Sequence, residues 1–207
     1  MTDQPYHHGK LREALLERAM ETIEQAGVDG LSLRQLARDL NVSHGAPAKH
    51  FRDKQSLIDA LALAGFEMMN QRIVEAGSGD DLRQRFARMA NAYVDFAVSH
   101  PALLTVMYST KHHPGSSTEL RNIGEQGIHV ARALISEAQD GGALAPGDTE
   151  TLAMVCFVSL HGAALLAAGK QLDGNSVEDV VAATTDTLWA GMAAGVPAAQ
   201  LSQTAGS

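Results

Sequence analysis

The chain has 207 residues, 45% of them hydrophobic, 19% charged and 4% aromatic, with a formal net charge of −8. That length buries one sizeable core, or a small module plus a larger one, and the composition is ordinary for a folded globular protein. A single cysteine, Cys156, excludes a disulfide within one chain and suits a reducing cytoplasm. Ala, Leu, Met and Gln abound while β-branched runs are scarce, which favours helices over sheet.

The first ten residues, MTDQPYHHGK, lack an apolar stretch after their charges and do not read as a signal peptide. Residues 1–56 hold eight Lys/Arg and eight Asp/Glu of totals of 16 and 24, so the rest of the chain carries the whole negative excess. Four of the nine histidines also fall in this neutral first part. A neutral module on an acidic body hints at two jobs.

Apolar spacing is helical throughout. Leu11, Leu15, Leu16, Ala19 and Ile23 make a first stripe, ended by Gly27 and Gly30. Leu33, Leu36, Ala37 and Leu40 make a two-turn stripe, and Leu57, Leu61, Ala64 and Met68 mark a longer helix that stops near Gly77. Leu82, Phe86, Met89, Tyr93 and Phe96 form the next helix, and Pro101 opens a short one through about Tyr108. KHHPGSS is a loop; Leu120, Ile123, Gly127, Ala131 and Leu134 follow at helical spacing. An apolar helix from Thr149 to about Ala168 is read as packed against other helices rather than as a membrane span. The last helix starts at a capping box, Ser176-Val-Glu-Asp, and runs to about Ala194. The expected architecture is all-α with about nine helices: residues 1–56 one domain, 57–202 a second, and 203–207 a loose tail.

The informative stretch is SLRQLARDLNVSHGAPAKHF, residues 32–51. Ser32 with Gln35 three residues on is a capping box that starts one short helix; Asn41 ends it, and Ser43 is placed to cap the next. Helices joined so tightly cross steeply, as in a helix-turn-helix whose second helix enters a DNA major groove. Gly45 and Ala46 would let its first turn approach the groove walls, and Pro47 is tolerated where amides lack intrahelical partners. Arg34 and Lys54 each begin a helix, where a cation opposes the dipole but where phosphate is welcome. Lys49, His50 and Arg52 extend the basic edge. From these features alone, a corner that merely packs stays an open alternative.

Residues 7–70 resemble the TetR family of transcriptional regulators. They carry the amphipathic first helix, the Gly-Leu-Ser entry, the Leu-Ala-x-x-Leu-Asn-Val-Ser corner, then His-Phe and Asp-Lys-x-x-Leu. HPALLTVMYS and VSLHGAALLAAG resemble a subgroup with a His-Gly on its eighth helix. The resemblance implies phosphate contacts from Ser32, Arg34, Lys49, His50 and Lys54, and base contacts from His44, Gly45 and Ala46, with Lys49 in addition. The family commonly has Tyr where this chain has Ala48; an N-terminal arm with His7, His8 and Lys10 is then expected to compensate, or affinity falls.

The resemblance further implies a homodimer on a roughly palindromic double-stranded operator, the last two helices pairing with their copies through Gly162, Ala163, Ala167, Ala168, Ala190, Gly191 and Ala194. It implies a small hydrophobic or aromatic ligand held by Met89, Tyr93, Phe96, Met107, Tyr108, His129, Cys156, Phe157, His161 and Trp189, though core packing explains each of them, taken singly, more readily. Ligand binding is expected to relieve repression, with activation the open alternative, in the cytoplasm and without a membrane or a cofactor. No Gly-x-Ser-x-Gly, His-Glu-x-x-His or dinucleotide motif supports an enzyme. Adjacent His112 and His113 diverge on a helix, and Cys156 and His161 are five apart, so no metal site is expected. A DNA binder without a ligand, or a metal-responsive one, remains the rival.

Overall fold

The computed structural model describes residues 8–195. The expected tail at 203–207, the end of the second domain at 202 and His7 of the arm lie outside them, as does the side chain of His8. The fold is all-helical, with eight α-helices among the described residues. These are α1 (His8–Ala26), α2 (Leu33–Asp39), α3 (Lys54–Ala76), α4 (Leu82–Ser99), α5 (Pro101–Lys111), α6 (Thr118–Asp140), α7 (Thr149–Ala168) and α8 (Val177–Ala194). The count falls one below expectation because the second helix of the corner is a 3-10 turn, Pro47–Lys49.

Packing divides the chain into two compact units. One comprises Met1–Glu67 with His100–Gly124, the other Met68–Ser99 with Glu125–Ser207. In the first, the expected stripe of α1 is the buried one: Leu11, Leu15, Leu16, Ala19 and Ile23 are all core. The three leucines and Ile23 each contribute roughly 2 kcal/mol by leaving water. Gly27 ends α1 at φ +68, a left-handed conformation that a β-carbon disfavours. Leu36 and Ala37 of α2, then Phe51, Leu57, Leu61 and Phe66, complete the inner face. Gly65 brings α3 against α5: a β-carbon there would stand 2.6 Å from Met107 Sδ, and Met107 is fully buried.

The start of α5 is capped from far along the chain. Pro101 has no N–H, so Ala102 and Leu103 supply the first free amides of the helix. Both donate to the carboxylate of Glu24 on α1, at 3.1 and 2.9 Å.

In the second unit α4 packs against α7 and α8. Its buried face is Phe86, Met89, Ala90, Tyr93, Val94, Phe96 and Ala97. Asp148 caps α7 by accepting from the amide and hydroxyl of Thr151, which holds its pKa below the ordinary carboxylate range. Ser176 caps α8 through the amide of Asp179, as its spacing predicts. The guanidinium of Arg85 donates to the Gly77 carbonyl and to Glu137, and Arg88 donates to Ala76 and Ser78, so two cations cover the last turn of α3.

Helix α7 is long and apolar enough to cross a membrane by length and composition. Its inner face buries Thr151, Ala153, Cys156, Leu160, Ala164 and Ala167, while Val155, Val158, Leu165 and Leu166 stay 45–60% exposed. Of the small residues expected to meet a partner, Ala167 is instead buried within the chain, whereas Ala190 and Ala194 face outward.

Candidate nucleic-acid interface

The corner is held by backbone bonds at both ends of its turn. Helix α2 closes with the Val42 amide on the Ala37 carbonyl and the Asn41 amide on Arg38, with Asn41 left-handed at φ +53. This double closure is a Schellman motif, and Asn is among the few side chains that tolerate it. The chain then turns through residues 43–51: Ala46 N–H to Ser43, Lys49 to Ala46, His50 and Phe51 to Pro47.

Proline explains why this segment is not an α-helix. An α-turn starting at Ser43 would take its first bond from the amide of residue 47, which proline lacks. The Ala46 amide takes the Ser43 carbonyl instead, giving the tighter i to i+3 pattern. Pro47 and Phe51 face the core while His44, Gly45, Ala48 and Lys49 are exposed and Ala46 is half-buried. The result is a short wedge with an apolar inner edge and a slim, polar tip.

The helix starts beside it behave differently from one another. Ser32 occupies the N-cap of α2 in an extended conformation, yet its side chain makes no capping bond. The expected box with Gln35 is not formed, because Gln35 donates to Asp39 and accepts from Arg38. At α3 a reciprocal cap is complete: the Ser56 amide donates to Asp53 Oδ1 at 2.8 Å and the Asp53 amide donates to Ser56 Oγ at 3.1 Å. That amide bond, with help from Arg52, holds the Asp53 carboxyl below its usual pKa range. Arg34 lies exposed in the first turn of α2, and Lys54, half-buried, is the first residue of α3. Neither, nor Lys49, forms an ion pair among the described residues.

Three stabilising contacts around the wedge were not legible in the sequence. The Arg12 guanidinium lies over the Phe51 ring, 5.6 Å from its centroid, joining α1 to the corner. Arg18 Nε donates to Asp39 at 2.8 Å, tying α1 to α2 and, with Gln35, lowering the Asp39 pKa. His50 is half-buried beside Phe51 rather than open to solvent. Arg12 and Phe51, like Arg18 and Asp39, lie too far apart in the chain for a helical periodicity to pair them, and the burial of His50 is set by packing.

The ten pocket candidates do not form one group. Met107 and Tyr108 belong to the first unit, where Tyr108 meets Phe66 edge-on at 5.5 Å. In the second unit Tyr93, Phe157 and His161 come together: Phe157 stacks on His161 at 5.2 Å, and Tyr93 Oη lies 2.5 Å from His161 Nδ1. Burial pushes the His161 imidazole pKa down, which favours the neutral ring that shares a hydrogen bond with the Tyr93 phenol. Trp189 packs on Phe86 at 5.8 Å, Phe96 lies under the Arg72 guanidinium at 5.5 Å, and Met89 is buried. Cys156 Sγ is 4.0 Å from Met192 Sδ, and burial drives its thiol pKa up to about 12, so it is unreactive. His129 faces solvent. A cleft of about 220 Å³ between α4 and α8 is lined by Arg83, Gln84, Phe86, Ala87, Thr185 and Asp186, none of them among the ten. Among the described residues no cluster of His, Cys, Asp and Glu is arranged to hold a metal ion.

An all-helical chain with a capped corner and a basic-edged wedge defines a helix-turn-helix DNA-binding regulator. Residues 15–61 match the family model described as bacterial regulatory proteins of the tetR family, and residues 86–192 match one described as a tetracyclin repressor-like C-terminal domain. The chain belongs to the TetR family of DNA-binding transcriptional regulators. A solved protein of unknown function from Rhodococcus sp. RHA1 is 49% identical, with TM-score 0.86 over 92% of this chain and 100% of that one. The TetR-family regulator PfmR of Thermus thermophilus shares the fold at 18% identity, with TM-score 0.69 over 86% of this chain and 98% of its own. The tetracycline repressor of class C from Escherichia coli is 43% identical over 53 residues, 26% of this chain; the match spans only 24% of that repressor's length.

Proposed function

We propose that the chain is a ligand-responsive repressor that binds a roughly palindromic operator as a homodimer and is released by a small hydrophobic or aromatic molecule. Residues 1–56 act as the DNA-binding domain and residues 57–202 as the ligand-binding and dimerisation domain, with the His-Gly pair at 161–162 marking the subgroup. The observation that carries the DNA half is the exposed tip at His44 and Gly45, flanked by cations at two helix starts. His44, Gly45 and Ala46 meet base edges; Ser32, Arg34, Lys49, His50 and Lys54 meet phosphates, which position the wedge without reading sequence.

The dimer half is supported by the outer face of α7. Val155, Val158, Leu165 and Leu166 form an apolar stripe interrupted by Gly162, and Ala190 and Ala194 are exposed on α8. A contiguous apolar face on a chain of net charge −8 is an association surface rather than a solvated one. The Tyr93–His161–Phe157 cluster, polar at one edge and aromatic elsewhere, suits an aromatic or hydrophobic effector with a hydrogen-bonding group. Such an effector releases DNA only by as much as its affinities for the two conformations differ. This mode of action places the protein in the cytoplasm.

The deciding experiment titrates the full chain against duplexes from upstream of its own gene. Binding to an inverted repeat is expected, and His44→Ala should blur preference at one or two operator positions. Equal loss on every sequence would remove His44 from base reading; absence of binding to any duplex at low salt would refute the function.

A further inference from the structure

We propose that Arg12 of α1 is a further DNA-contacting residue, its guanidinium steadied over the Phe51 ring while its N–H donors grip a backbone phosphate; the proposal rests on the regulator reading above. Arg12 is exposed, and its guanidinium lies 5.6 Å from the centroid of the Phe51 ring, itself only 2% exposed. Both residues belong to the same compact unit. A cation over an aromatic face is held without a carboxylate, so its N–H donors stay unspent. Among the described residues Arg12 makes no ion pair and no hydrogen bond. By contrast Arg18, Arg52, Arg83, Arg85 and Arg132 each meet a carboxylate. The helix of Arg12 offers it none, because His8, Gly9, Leu15 and Leu16 stand at the three- and four-residue spacings.

The ring that seats Arg12 lies in a cationic run. Residues 49–54 read Lys-His-Phe-Arg-Asp-Lys, three cations to one carboxylate. That carboxylate, Asp53, is already taken by Arg52 and by the Ser56 amide. Arg12 adds a fourth cation from a different helix, and gathered like charges repel until an anion meets them. A nucleic-acid backbone supplies that anion. A guanidinium gives one phosphate two parallel N–H bonds, which the point charge of Lys49 or Lys54 does not reproduce. Seating on a buried ring also lowers the side-chain entropy that such a contact costs. Arg72 lies over Phe96 at 5.5 Å in the second unit, but no Lys or other Arg stands within four residues of either, so it serves as the control.

The experiment titrates the full chain by fluorescence anisotropy on a salt series, against a duplex enriched from a random pool by the wild-type protein. Arg12→Met keeps an apolar cover on Phe51 but removes the charge and the donors. It should flatten the plot of log affinity against log salt by about 1.8 in a dimer, one phosphate per protomer. Arg12→Lys should restore the slope, because a charge suffices to release the counterion. Single phosphates of the duplex are then replaced by neutral methylphosphonates. At one position in each half of the duplex the replacement should weaken the wild type about tenfold, the low end for a hydrogen bond to a charged group. Arg12→Met should be insensitive at that position, and Lys54→Ala should remain sensitive there. Arg72→Met should keep the wild-type slope. If Arg12 merely braces the wedge, Arg12→Met keeps the wild-type slope and every methylphosphonate effect; that outcome overturns the proposal. So does an Arg72→Met slope flattened as much as that of Arg12→Met, since the slope would then report overall charge rather than contact. Should Arg12→Met not fold, Arg12→Gln decides by the same two readouts. A wild type that binds no duplex refutes instead the function beneath.

Discussion

Lys54→Ala separates the DNA interface from the fold because the two effects have opposite sign. Lys54 is the first residue of α3, directly after the Asp53 cap, where the helix presents the positive end of its dipole. A cation there costs about 0.3–1 kcal/mol in the free protein. Alanine relieves that cost without loss of helix propensity, so the melting temperature should rise by roughly 1–2 °C for a chain of this size. Binding should move the other way. Removing one cation from its phosphate flattens the plot of log affinity against log salt by about 0.9, hence about 1.8 for a dimer in which both protomers carry the substitution. Between 50 and 200 mM salt the handicap of the variant should then shrink about tenfold. Fluorescence-anisotropy titrations on a salt series, with operator and scrambled duplexes, measure this, and a thermal melt measures the first effect. An unchanged slope, or a loss confined to the operator, would refute the phosphate role; a lower melting temperature would refute the dipole reasoning.

Two further outcomes follow from packing and protonation. Gly65→Ala would place a β-carbon 2.6 Å from Met107 Sδ and 3.2 Å from Leu103 Cγ, both side chains being fully buried, and should cost about 1–3 kcal/mol in a denaturant titration. Met107→Ala should recover part of that loss in the double variant, and strict additivity would show that the clash is absent. The half-buried imidazole of His161 has its pKa lowered from 6.5 by desolvation, so well above that pH both folded and unfolded states are neutral and it contributes nothing. As pH falls through the window beneath 6.5 the unfolded chain takes the proton first, so stability is lost there, and His161→Phe should flatten the decline. The Asp53 cap fails only at lower pH, since its depressed carboxyl keeps its charge until the pH falls through its folded-state value. A denaturation midpoint flat from pH 7 to 5 would show that His161 titrates alike in both states.

What the sequence determined by itself lies within a few residues of each position. The stripe at Leu11, Leu15, Leu16, Ala19 and Ile23 is the buried face of α1, the Ser176 cap forms, and Asn41 ends α2, because contacts at i, i+3 and i+4 depend only on local spacing. The motif of residues 32–51 carried the family for the same reason. Even local chemistry misleads where a second partner competes: Gln35, spaced to cap Ser32, turns instead to Asp39, which Arg18 of α1 also holds. Tertiary structure alone decided that Pro47 and Phe51 face the core, that Arg12 covers Phe51, and that Tyr93 meets His161 across 68 positions. It also put Glu24 at the start of α5. Such pairs follow from how helices cross, and a crossing is set by the whole buried face of each helix rather than by any short run of residues.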